Sequence, residues 1–172
     1  MSLAMIIANT ALVAFACLML WAAWCDVRRY TIPPWIPAVL IALWIAAAPF
    51  LQLGWAGAGW SLLTFAGVLA VGMALWAPGW VGGGDVKLLA AAALWFGWPD
   101  ALVFLLYAMV AGGVLAVVLL GLRKISPVLP VSPHALGKTP LAEGAPAPYA
   151  VAIAAGALLV LPHSAIFAAY QA

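Results

Sequence analysis

Two acids stand out in a chain that is otherwise almost without charge. Asp26 closes a long apolar run in the stretch CDVRRY, and Asp85 follows Gly82, Gly83 and Gly84 in GGGDVKLL, with Lys87 two residues on. The remaining acids, Asp100 and Glu143, fall in a turn and in a polar loop and need no special account. Two carboxylates brought together do not readily ionise at once: one pKa rises and the pair shares a proton. Such a pair can activate water, one carboxylate taking a proton from it while the other gives one to a carbonyl oxygen, which is aspartic-protease chemistry. Each acid also has a plainer reading. Asp85 could cap a helix, since Asp is a favoured N-cap, and Asp26 could be an interfacial partner of Arg28 or Arg29. The glycines could cradle a phosphate at a helix N-terminus, but no G-x-x-x-x-G-K-[ST] pattern is present. Lys87, two positions beyond Asp85, points to another helix face and either anchors the helix at an interface or steers a substrate carboxylate.

What must position these acids follows from composition. The chain has 172 residues, 69% hydrophobic and 6% charged, with a mean hydropathy of +1.23. Soluble domains carry about 25% charged residues, so this chain needs lipid as its solvent. A spanning helix takes about 20 apolar residues, and the runs fall at Leu3 to Cys25, about Trp35 to Leu53, about Trp60 to Pro78, Val86 to about Trp98, Ala101 to Leu122 and about Tyr149 to Tyr170. The expectation is an all-α polytopic membrane protein with six transmembrane helices, read as one integral-membrane domain over 1–172 with a Pro-rich cytoplasmic loop at about 123–148. The fourth run is short, near 20 Å as a helix. Its reality is argued from charge: with six spans every Lys and Arg (Arg28, Arg29, Lys87, Arg123, Lys124 and Lys138) falls on one side, and dropping the fourth splits them. The positive-inside rule makes that side cytoplasmic, which places both termini on the non-cytoplasmic side and Asp26 and Asp85 at the same cytoplasmic depth. Met1 to Trp24 has no basic n-region and reads as a retained helix rather than a signal peptide.

Other residues add little chemistry. Cys17 and Cys25 are eight positions apart, about 12 Å along a helix, too far for a disulfide with each other. His134 and His163 fall on opposite sides and share no metal site. No metal or cofactor is expected, and no nucleic acid. Trp21, Trp24, Trp35, Trp80, Trp95 and Trp98 lie near span ends as an aromatic belt, while Gly67, Gly112, Gly113 and Gly156 suit close helix packing. Glycine reaches backbone angles other residues avoid, and irregular backbone at membrane depth is tolerated where it lines a cavity. The loop 82–84 is therefore expected to admit an extended peptide beside Asp85.

GGGD at 82–85 resembles the G-x-G-D signature of intramembrane aspartyl proteases, and GGGDVKLLAAAALWFG resembles the type IV prepilin peptidase family, above all its short members serving tight-adherence (Flp-type) pili. DVRRYTIPPW is similar to that family's D-x-R-x-x-x-I-P-N: Asp26, Arg28, Ile32 and Pro33 match, and Pro34 stands where Asn is usual. PYAVAIAAG at 148–156 is similar to P-Y-G-x-A-I-A-x-G, with Ala150 in place of Gly. The resemblance implies a bacterial inner-membrane aspartic endopeptidase. It would remove the basic leader of prepilins or pseudopilins at the cytoplasmic face, with Asp26 and Asp85 as the catalytic pair. Larger members also methylate the new N-terminus and carry a cytoplasmic insert that this chain lacks, so methylation is not expected. Two other classes compete: a small proton-coupled transporter using the acids as a relay, disfavoured because nothing charged continues toward the far side, and a non-catalytic assembly factor of a pilus or secretion system, which would tolerate loss of either Asp.

Overall fold

The computed structural model describes residues 3–125 and 145–168. The Pro-rich segment with His134, Lys138 and Glu143 lies outside the described residues. Six helices form in chain order: α1 (Leu3–Arg29), α2 (Trp35–Ala47), α3 (Gly54–Trp76), α4 (Gly83–Phe96), α5 (Asp100–Ile125) and α6 (Tyr149–Val160), followed by a one-turn helix α7 (Ala165–Ala168). The all-helical expectation holds, with no strand among the described residues. Three helices, α1, α3 and α5, are long and apolar enough to cross a membrane, and the others are shorter.

Helix boundaries differ from the sequence reading in ways that matter. Helix α1 continues past Cys25 to Arg29, so Asp26 is held in its last turn. It stops at Tyr30, which takes a left-handed conformation (φ 52°). Helix α2 ends at Ala47, short of Leu53, and passes into a 3-10 turn over Ala48–Phe50 that contains Pro49. The last helix does not run to Tyr170. It stops at Val160, where Pro162 enters a second 3-10 turn, because proline removes a helical donor and clashes with the preceding turn.

Helix α4 sits in the centre, packed against α2, α3, α5 and α6. Ala90, Ala91, Ala92 and Ala93 are all fully buried, and small side chains on every face let several helices approach one axis closely. Its 14 residues span about 21 Å, less than the bilayer's hydrocarbon core of about 30 Å. An inner helix need not reach both lipid surfaces, so the short fourth run is accommodated by its neighbours. Trp95 belongs to this core, not to an aromatic belt: it is 1% exposed, and its Nε1 donates to the carbonyl of Leu40 in α2 at 3.1 Å. That bond satisfies an indole N–H that would be costly if left bare in an apolar interior. Trp21, Trp24, Trp35, Trp80 and Trp98 do remain exposed.

The glycines divide. A methyl at Gly156 would meet the Ala108 backbone of α5 at 2.6–2.8 Å, and one at Gly112 would meet the Tyr149 ring at similar distances, so both permit the α5–α6 contact. Gly67 and Gly113 face open space and do not mediate packing within the chain. Gly72, not singled out in the sequence, is the close approach between α3 and Val86 of α4.

Candidate functional site

Asp26 and Asp85 come from helices that run antiparallel. Phe15 of α1 packs against Trp95 and Phe96 of α4, with ring centroids 5.0 and 5.9 Å apart. Counting from that contact, Asp26 lies about 16 Å along α1 and Asp85 about 15 Å back along α4, which brings both acids to one depth at one end of the bundle. The connecting segments close the gap there: Ile32, just past α1, sits against Gly84. The carboxylates are near enough that the charge of Asp26 acts on Asp85. Sequence topology placed the two acids at one depth and left their meeting to the packing of α1 and α4; the geometry brings them together.

Their surroundings exclude parts of the plainer readings. The N-cap of α4 is Gly82, and Asp85 is the third residue of the helix, so Asp85 is not the N-cap. Arg28 lies over the Trp24 ring at 4.3 Å, and Asp26 takes a different partner: its Oδ2 accepts the backbone N–H of Ala150 at 2.9 Å. Asp26 is 6% exposed. Asp85 lies just ahead of the apolar run of α4 and outside the three long helices. Burial, and next the negative charge of Asp26, push its carboxyl from the ordinary 3.8 up to about 6.

The glycine loop serves space, not unusual backbone angles. Gly82 has ordinary extended geometry (φ −68°, ψ 135°), and Gly83 and Gly84 are helical. A methyl on Gly82 would stand 2.7 Å from Oδ2 of Asp85, and one on Gly83 would stand 3.2 Å from the Trp76 indole nitrogen. Lys87 is exposed while Asp85 is partly buried, in keeping with different faces of the first turns of α4. Sequence reasoning gave the Ala150 N–H no part in the site and used Arg123 only as a marker of sidedness; its Nη2 donates to the carbonyl of Ala145 at 2.6 Å. The stretch PYA, with proline at the very start of a helix, was the available signal.

The opposite end of the bundle gathers Leu51, Gln52, Ser61, Gly97 and Ile166 around a cavity of about 230 Å³. An apolar cleft of about 320 Å³ opens between α3 and α5, beside Trp60, Gly67, Trp98 and Leu105. Neither touches the acids. No cluster of three or more metal-ligating side chains occurs among the described residues.

An all-helical membrane bundle with one buried and one partly buried carboxylate paired at its basic end is the class that fold and site define. The family model of the type IV leader peptidase family matches residues 13–117, more than half of the chain and both acids, and the chain belongs to that family. Comparison with curated proteins and with solved structures finds no match.

Proposed function

We propose that this protein is an aspartic endopeptidase that removes the basic leader from Flp-type prepilins at the cytoplasmic face of the bacterial inner membrane. Asp26 and Asp85 form the catalytic pair, and Gly82, Gly83 and Gly84 leave room for the substrate backbone beside Asp85. Lys87 anchors α4 at the interface. The observation that carries the reading is the meeting of Asp26, buried, and Asp85, half-buried, at the bundle end that also holds Arg28, Arg29, Lys87, Arg123 and Lys124. By the positive-inside rule that end is cytoplasmic, both termini are on the far side, and residues 1–172 act as one domain. Family membership supports a leader peptidase acting on prepilins within a lipid environment. The D-x-R and P-Y elements and the lack of a cytoplasmic insert support the Flp-type branch.

In the reaction, one carboxylate takes a proton from water as its oxygen attacks the scissile carbonyl, and the other protonates the carbonyl oxygen. Buried surroundings strengthen both transfers, because charges in a low-dielectric site are poorly screened. The test is cleavage of an Flp-type prepilin in membranes by wild type, Asp26→Asn and Asp85→Asn, with insertion and accumulation checked for each. Wild type cuts and both variants fail, by at least ~10³-fold, the scale on which loss of an essential catalytic group is felt. Cleavage at the wild-type rate by either variant returns that acid to a structural role.

A further inference from the structure

The two acids are not equivalent in the bundle. Asp26 receives a directed hydrogen bond from the N–H of Ala150, in the first turn of α6. Donors there have no partner inside their own helix, and the positive end of the helix dipole favours an anion. The segment that delivers this N–H is fixed at several points: Arg123 of α5 bonds the Ala145 carbonyl, Pro148 is buried, and the Tyr149 ring lies on Gly112. Asp85 also sits at a helix N-terminus, but no donor among the described residues bonds its carboxyl. A charge-assisted bond outweighs an unbonded dipole.

We propose that the N-terminus of α6 polarises the pair, the Ala150 N–H holding Asp26 as the ionised general base and leaving Asp85 as the proton-carrying general acid. This rests on the peptidase reading above and assigns its two roles. Asp26 removes a proton from water as the water oxygen bonds to the scissile carbon, and Asp85 gives its proton to the carbonyl oxygen. On collapse, the C–N bond breaks, Asp26–H protonates the leaving nitrogen, and Asp85 takes back a proton from the diol. The starting state returns with no other reactant. Ala150 is a positioning residue, acting through its backbone.

Infrared difference spectroscopy of the full chain in lipid vesicles, at about pH 5, where ordinary carboxyls are mostly ionised, tests the assignment. Wild type shows a protonated-carboxyl band; Asp85→Asn loses it and Asp26→Asn keeps it, because burial still acts on Asp85. Absence of the band from wild type, or its loss in Asp26→Asn with retention in Asp85→Asn, overturns the proposal. A second variant reads the same bond. Ala150→Pro removes the N–H at the second residue of α6, in the first turn, where no helical hydrogen bond is lost. It lowers kcat by roughly 10- to 100-fold, the scale of a lost charge-assisted hydrogen bond, with KM little changed, whereas Ala150→Gly keeps the N–H and a kcat well above that of the proline variant. Equal kcat in the two variants also overturns it, and if the proline variant fails to accumulate, the infrared comparison decides. The two readings fail separately. If both Asn variants cleave normally, the peptidase assignment falls; if both are inactive but the band behaves in reverse, only the division of roles falls.

Discussion

Gly82 shows how closely one residue limits the site. Its backbone is ordinary, so the requirement is for the missing methyl, which would stand 2.7 Å from the Asp85 carboxylate. Gly82→Ala is therefore expected to displace that carboxylate while leaving the bundle intact. Cleavage assays should show kcat lower by about 10- to 100-fold, since misplacement by about 1 Å can cost that much, and thermal unfolding in detergent should change little. The carboxyl of Asp85 makes a second prediction. Its value in the folded protein, about 6, lies above the ordinary 3.8, so the fold favours the protonated form. The sign follows: below about pH 4 Asp85 is protonated in both states and is neutral for stability, and as pH rises toward 6 it works increasingly against the fold. Wild type should lose Tm relative to Asp85→Asn across that interval, and the gap should stop growing above it. A constant gap from pH 4 to 8 would contradict the raised value. At this scale the sequence showed which acids to watch. PYA could mark a helix start, but it could not show that the Ala150 N–H meets Asp26, because that pairing is set by the packing of α6 against α1.

Helix ends and helix contacts were legible to different degrees. Composition and the loop charges were enough for six helices, because charge placement is a property of the sequence itself. The ends were less so. Asp26 and Asp85 were placed beside helices and lie inside them, since helix propensity and apolar patterning do not stop at the same residue. Trp95 shows a second limit: an indole near a span end is equally suited to lipid interface and to core, and the choice was made by Leu40, which offers a carbonyl from a distant helix. Glycines show a third, because hydropathy cannot tell which face of a helix meets a neighbour. This gives a paired test. Gly156→Ala drives a methyl into the Ala108 backbone and should destabilise by about 1–3 kcal/mol, as overpacking does. Gly113→Ala meets nothing within 4 Å and should be neutral or stabilising by up to about 1 kcal/mol from helix propensity. Thermal unfolding in the same detergent, with activity alongside, checks both. Equal losses would mean that the α5–α6 approach is not as tight as described.

The distribution of charge over the whole bundle carries the last prediction. Ile32 against Gly84, Trp76 against Gly83 and Arg123 on Ala145 gather the ends of α1, α3 and α5 with the starts of α4 and α6. Trp60 beside Trp98, with ring centroids 6.4 Å apart, and the cavity shared by Gln52 and Ile166 gather the other ends. Both groupings follow from six alternating helices and would not survive removal of α4 from the count. They also put every described Lys and Arg at the end that holds Asp26 and Asp85. A membrane-impermeant thiol reagent tests which side that is. In a Cys17→Ala, Cys25→Ala background, cysteine at the exposed positions Gln52 or His163 should label from outside intact cells, and cysteine at Lys124 should label only after the membrane is opened. The reverse pattern would put the acids on the outer face and separate them from a leader peptide that is still in the cytoplasm. Labelling of Gln52 and Lys124 from the same side would break the alternation itself, because α3, α4 and α5 separate those positions and an odd number of crossings must change sides.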